Sequence, residues 1–524
     1  MSRKIRIEKE FLVLPAAGQM STRRLFFRQD GEKVFELDLP VGKKDEIRFY
    51  AAIPAEKWKG RELSLEFEES TPETEELMEC ITQSDEYEQK DHSDALRPSI
   101  HFTPAYGWMN DPNGLLYKNG EYHMYFQYNP VNDIWGNMSW GHAVSKDLLH
   151  WKQEPPAILP GKDGAIFSGC AVDNREKVGA LAENAWIFYY TCGGGASAWS
   201  RENKSPFSQK LAYSTDGGKS LLTYEAGGLP CEQDEDRDPK IYWHEESNAY
   251  YMVLYLSGSD FGIYRSKDLF CWEKTQELTF DGMMECPDLF PLETGQGRKW
   301  VFLSADGSYI VGDFDGFQFK PLQEKQSVYG TDLPYAGQTF VGTEEKILVK
   351  WLRTWNKDET YTGTMSVPTE LGLTEKEGKY ILTQKFTENF EMQKKIFMEL
   401  ESYQGDEIEL RGMNGRGTAE LEITWDIKNP DERALELLLG KEKLRYQAEE
   451  EQLVFTGDAG INEEKSMTVP KDTERLRILS DGPILEVLSG DGRVYGAFEL
   501  NEKPEDVWKL RVRNRKMVRI YTVG

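Results

Sequence analysis

Positive charge is scarce in this chain of 524 residues: 63 Lys and Arg stand against 90 Asp and Glu, a formal net charge of −27. A nucleic-acid backbone and an anionic membrane surface both demand clustered cations. Neither is an expected partner, and a neutral or cationic substrate fits better. Cysteine is scarce as well. The six are Cys80, Cys170, Cys192, Cys231, Cys271 and Cys286, with no C-x-x-C pair, which is the usage of a reduced chain and not of a disulfide scaffold. No apolar stretch approaches the roughly 18 residues of a membrane span. The short run Phe11–Leu14 is stopped by Pro15 and preceded by Glu8, Lys9 and Glu10, unlike a secretory leader, so a cytoplasmic protein is expected. The six histidines are dispersed, and H-E-x-x-H, G-x-S-x-G and dinucleotide motifs are lacking. Neither a metal nor a cofactor is expected, and His123 and His142 read as packed or surface residues. Gly218-Lys219-Ser220 ends like a P-loop, but Tyr213 stands where the upstream Gly is required. Asp234, Asp236, Asp238 and Glu245 are spaced like a calcium loop whose turn glycine is replaced by Pro239.

What the chain does have is aromatic side chains. Hydrophobic residues are 39%, below the usual 45–50%, yet 14 Trp and 25 Tyr are present. Large rings can supply a core and suit strands, and they equally suit stacking on sugars. Residues 1–70 alternate polar and apolar, as in Lys33–Leu39 and Leu63–Phe67, and read as a small β-sandwich-like module. Residues 71–96 are acidic and read as a linker with one short helix, Thr71 as N-cap and Pro72 at its first position. Residues 97–390 repeat a short aromatic strand followed by a polar turn. Ser145-Lys146-Asp147-Leu148 before Trp151 matches Ser266-Lys267-Asp268-Leu269 before Trp272, with a weaker version at Ser214-Thr215-Asp216-Gly217. All-β repeats of this length suggest blades of four strands, and the segment has room for five. Residues 391–524 alternate again and read as a second β-sandwich.

Three acids sit where a solvated surface does not explain them. Asp111 lies in Trp108-Met109-Asn110-Asp111-Pro112-Asn113-Gly114; Pro112 bars it from the helical region and Asn113-Gly114 turns the chain directly after it. Asp238 precedes Pro239. Glu285 lies in Met283-Met284-Glu285-Cys286-Pro287, where apolar neighbours would desolvate it and raise its pKa, as a general acid needs. Equivalent positions of successive blades converge on one mouth of a propeller channel. Three converging carboxylates without a metal motif suggest glycoside hydrolysis by a nucleophile and an acid/base.

These three motifs together resemble the signatures of glycoside hydrolase family 32, the invertases, inulinases and levanases. Phe126–Pro130, Trp135-Gly136-Asn137, Trp140–Ser145, Phe167-Ser168-Gly169 and Ala336–Phe340 are similar to that family too, over about residues 97–390 and faintly at Leu485-Glu486-Val487. The resemblance implies a five-bladed β-propeller followed by a C-terminal β-sandwich, and a retaining mechanism on β-D-fructofuranosides. Asp111 would be the nucleophile, Glu285 the acid/base and Asp238 the transition-state stabiliser, with a retaining pair of carboxylates about 5–5.5 Å apart. Asn110, Gln127, Trp135, Phe167, Ser168, Arg237, Asp332 and Trp351 would contact substrate. The chain departs from the family where an Arg-Glu pair is usual, reading Val367-Pro368-Thr369-Glu370. Its N-terminal module resembles an extra one on some bacterial levanase-like members, and reads as a structural appendage or a carbohydrate-binding module. The expected partner is a fructose-containing oligo- or polysaccharide. The leading reading is an exo-acting β-fructosidase on levan- or inulin-type chains and sucrose. A sucrose or sucrose-6-phosphate hydrolase, a fructosyltransferase and a catalytically silent sugar-binding propeller stay open.

Overall fold

Alternation of apolar and polar residues carries through almost the whole molecule as strand. The computed structural model describes residues 2–17, 21–87, 97–174, 181, 185–295, 297–355, 359–401, 407–411, 418–426, 428–457, 464–500 and 507–524, and among these the strands form nine sheets. None of the described helices is long and apolar enough to cross a membrane.

At the N-terminus a four-stranded and a three-stranded sheet enclose Leu12, Leu14, Leu25, Phe27, Phe35, Leu37, Leu63 and Leu65. Each such side chain removed from water contributes about 1.5–3 kcal/mol. The helix Pro72–Cys80 starts as its sequence predicts, with the Thr71 side chain accepting from the Thr74 amide at 3.3 Å. The segment after residue 70 is more than a linker, however. Leu77, Met78 and Ile81 are buried, and Thr82–Ser84 adds a strand antiparallel to Phe11–Ala17, so the module runs to Ser84. The apolar positions 77, 78 and 81 share one helical face, hidden in the sequence among glutamates. Residues 88–96 of the expected linker lie outside the described residues.

Five sheets follow in chain order. Their first strands are Gly107–Lys118, Ala165–Val172, Arg237–His244, Asp288–Thr294 and Pro334–Thr339, and in each the next strands pair antiparallel in succession. The recurring Ser-x-Asp motif is the turn between the third and fourth strands of the first three sheets. The Ser145 hydroxyl accepts from the Leu148 amide at 2.9 Å and Asp147 from the His150 amide at 2.8 Å. Ser266 with Leu269 and Asp268 with Cys271 repeat this at 2.9 and 2.8 Å. Leu148 and Leu269 both adopt positive φ, 69° and 62°, a strain the side-chain bonds offset.

The series closes on itself. Tyr361–Thr362, beyond the second strand of the fifth sheet, pairs in parallel with Gly107 and Trp108, and Val341 bridges Leu116. Gly363 permits this approach: at φ 92°, a Cβ there would stand 2.1 Å from the Met109 carbonyl oxygen. From Lys394 onward two six-stranded sheets pack face to face around Leu421, Ile423, Trp425, Leu437, Leu444 and Leu510.

Candidate active site

The expected acids lie on or beside the first strands of three sheets. Asp111 is on Gly107–Lys118, Asp238 on Arg237–His244, and Glu285 in the turn leading into Asp288–Thr294. Register breaks fall where the side chains must be re-aimed: between Met109 and Pro112, between Ile166 and Gly169, between Arg237 and Lys240, and between Tyr335 and Gln338. A bulge turns a strand locally and redirects its side chains. Gly169 is needed for the second break, since a Cβ there would lie 2.0 Å from the Tyr189 carbonyl oxygen. Three residues at the site carry positive φ: Asp238 at 64°, Glu285 at 52° and Cys286 at 41°. Pro239 excludes the right-handed helical region for Asp238 as the sequence implies, and the backbone takes the left-handed side, a conformation costing about 1–3 kcal/mol that only surrounding structure can hold.

Asp111 is fixed by two donors. Ser168 Oγ gives its proton to Asp111 Oδ2 at 2.7 Å and Asn110 Nδ2 reaches Oδ1 at 3.1 Å. The turn beneath is locked by Asn113, fully buried, which donates to the Asp111 carbonyl and accepts from the Gly169 amide at 3.0 Å. Asp238 Oδ2 accepts from the Cys286 amide at 3.1 Å, and the Asp238 amide donates to Thr191 Oγ1 at 2.9 Å. The Cys286 thiol stands 3.6 Å from a carboxylate oxygen of Asp111 and equally from one of Asp238, so both acids face one small space. Glu285 is held from two sides, by Arg237 Nη2 at 2.9 Å and Tyr335 Oη at 2.6 Å. Arg237 itself lies over the Tyr255 ring at 4.5 Å.

Burial acts on both acids beside the thiol. Burial pushes the Asp238 carboxyl up to about 7; the nearby Glu285 charge adds to this, and Arg237 opposes it. Asp111 is also raised, again by burial first, against the bonds from Ser168 and Asn110. Glu285's side chain remains 31% exposed and Met284 beside it is exposed, because positive φ at Glu285 and Cys286 turns the loop outward and leaves Cys286 to point in.

The other expected contacts divide. Asn110 and Ser168 touch Asp111, and Arg237 touches Glu285. Phe167 precedes Ser168 and meets the exposed Trp135 edge-on at 6.2 Å. Gln127 Nε2 and Trp351 Nε1 are buried without a hydrogen-bond partner among the described residues, and the Trp351 ring stands edge-on to Tyr335 and Trp108. Asp332 lines a cleft together with Tyr335 and Arg353; its side chain is 75% exposed and faces Lys465 of the C-terminal sheets at 3.9 Å, and its carbonyl oxygen accepts from Arg353 Nε at 3.1 Å. Tyr335 was missed by sequence reasoning, although it directly precedes Ala336-Gly337-Gln338. Thr191 and Trp355 were missed as well, the latter an exposed indole against Trp108. His123 and His142 are packed together in the first sheet, 3.1 Å apart. Asp236 closes a turn on the Glu232 and Gln233 amides and forms no loop with Asp234 and Glu245.

Paired carboxylates on bulged strands, with one acid bridged by an arginine and a tyrosine, are the equipment of a glycosidase. Residues 101–385 match the model of the glycosyl hydrolases family 32 N-terminal domain. A levanbiose-producing levanase of Bacillus subtilis is 32% identical over 480 residues, covering 80% of this chain and 89% of that protein. A levanase of the same organism is 32% identical over 365 residues, or 63% of this chain, which spans only about half of it, 51%. Among solved structures, a fructofuranosidase of Schwanniomyces occidentalis complexed with fructosylnystose superposes with a TM-score of 0.72 at 24% identity, covering 83% of this chain and 99% of that one. The protein belongs to glycoside hydrolase family 32.

Proposed function

We propose that this protein is a retaining β-fructofuranosidase that releases terminal fructose from levan- or inulin-type chains, fructo-oligosaccharides and sucrose, and that its five central sheets are the blades of a propeller. The observation that carries the reading is the cluster of Asp111, Asp238 and Glu285 from the first, third and fourth of the five sheets, the first two within reach of one thiol and the third held by Arg237 and Tyr335. Relatives named levanase and exo-inulinase support the substrate class.

Asp111, held in one rotamer by Ser168 and Asn110, attacks the anomeric carbon of the terminal fructosyl unit. Glu285 protonates the leaving oxygen and, in the second half, takes a proton from the incoming water, while Arg237 and Tyr335 keep its carboxyl directed at that oxygen. Asp238 accepts hydrogen bonds from fructose hydroxyls, which tighten as charge develops in the transition state. The unpartnered Gln127 Nε2 and Trp351 Nε1 supply further donors to the sugar.

The test is a side-by-side assay of fructose and glucose release from sucrose, 1-kestose, inulin and levan, with NMR of the first anomer freed. Fructose released as the β anomer is expected. Initial release of the α anomer would overturn the retaining assignment, and no release from any of the four would overturn the activity.

A further inference from the structure

The N-terminal sheets dock beside the active site at one edge. The Asp38 amide donates to Asn137 Oδ1 at 2.8 Å and Asn137 Nδ2 donates back to the Asp38 carbonyl at 3.0 Å. The Trp199 amide donates to Glu36 Oε1 at 2.9 Å, and Lys33 bridges Glu36 and Glu202 at 2.7 Å each. Arg48 pairs with Asp133 at 2.5 Å. Between the first two ties lies a cleft of about 210 Å³ lined by Asp38, Trp135, Asn137, Ser197 and Trp199. Trp135 links it to the acids through Phe167 and Ser168. Its indole is 52% exposed and packs on Phe167, the neighbour of the Ser168 that holds Asp111.

Each wall has a chemistry. Two indoles line the cleft, Trp135 with an exposed apolar face that suits the CH-rich face of a sugar ring and Trp199 with Lys33 over its ring at 5.0 Å, and the exposed Asp38 carboxylate can bond sugar hydroxyls. The cleft's acids disfavour an anionic ligand. Lys33 does not offset this, being already held by two carboxylates. The volume lies below the roughly 300 Å³ at which pockets for drug-sized ligands begin, which matches a single ring. We propose that the N-terminal module completes a second sugar subsite here, with Asp38 and Trp199 as its specificity-determining residues, binding a neutral hexose unit of the substrate beyond the one being cleaved. The module is thus a part of the substrate cleft that reads chain length. This rests on the β-fructosidase reading for the identity of the chain, and the module's docking stands without it.

Trp199→Ala and Asp38→Asn test it in the full-length protein, each first checked for an unchanged melting temperature, with Trp199→Phe as the conservative variant. With nystose and levan, kcat/KM is expected to fall about 5- to 10-fold through KM for Trp199→Ala, less for Asp38→Asn, and to recover in Trp199→Phe, while sucrose changes less than twofold. An equal fall for all substrates, or none, overturns the subsite. Calorimetric titration of nystose into Glu285→Gln chains, with and without Trp199→Ala, decides the matter independently of turnover. Binding weakened 5- to 10-fold supports the subsite; binding unaffected by the substitution, or absent from both chains, overturns it. Absence of turnover on every sugar by the unsubstituted protein would bring down the β-fructosidase reading alone.

Discussion

Asp111 and Asp238 share a small space with a thiol, and the guanidinium nearest them donates its hydrogen bond to Glu285. Asp481 and Glu486, on adjacent strands of the C-terminal sheets, share a space with a histidine. His101 is fully buried between them, Nδ1 at 2.8 Å from Asp481 and Nε2 at 2.8 Å from Glu486. Asp481 also accepts from the Ser99, Ile100 and His101 amides, and Glu486 from Val367. Burial opposes charge in both places. In the first it prevails and drives Asp238 up to about 7. In the second it acts against the imidazolium, but the two carboxylate bonds raise His101 to about 9, and the same bond with the backbone amides takes Asp481 down to about 2. The difference lies in what the acid is given. Carboxylates facing each other are costly and reactive, and carboxylates facing a buried cation and amides tie the fifth-sheet side of the molecule to its C-terminal sheets.

Substitutions should separate the two sites. Glu285→Gln should lower kcat at least 10³-fold with a melting temperature within a degree or two of the parent. His101→Ala should do the reverse, costing about 3–5 kcal/mol by denaturant titration, since two buried carboxylates lose their cation, while activity per folded molecule persists. A stable His101→Ala chain would break the comparison. Asp238→Asn should abolish turnover and add about 1–2 kcal/mol of stability at pH 8. The sign follows from the raised pKa: the folded state holds that proton more tightly, so stability falls as pH rises from about 4 through about 7, and the amide removes this slope. For His101 the contribution is fully present below the unfolded value of 6.5 and is lost as pH rises through about 9. Melting temperature should therefore decline between pH 7 and 10 in the parent more than in His101→Gln. Tyr335→Phe should have the smallest effect, lowering kcat/KM about 3- to 10-fold by removing one donor from Glu285.

The sequence was legible where constraint is local. Pro112, Pro239 and Pro287 mark three rigid corners within a residue or two of the acids, and Ser145-x-Asp147 and Ser266-x-Asp268 mark turns, because each motif closes its own hydrogen bonds. Reasoning from neighbours failed for Glu285, whose adjacent methionine and cysteine do not surround it once two positive φ values reverse the chain. It failed for the strand Thr82–Ser84, whose partner is Val13 and its neighbours. His101 could not be read at all, since its partners stand 380 and 385 positions away.

The parallel pairing of Tyr361 and Thr362 with Gly107 and Trp108 has a consequence in time. The strand bearing Asp111 is flanked on one side by its own hairpin and on the other by a segment the ribosome delivers roughly 250 residues later, an interval on the order of ten to fifty seconds at ordinary synthesis rates. Until then one edge of that strand is an open template for wrong partners. Asp111 is thus the first of the three acids made, while its strand's second neighbour is delivered after all three.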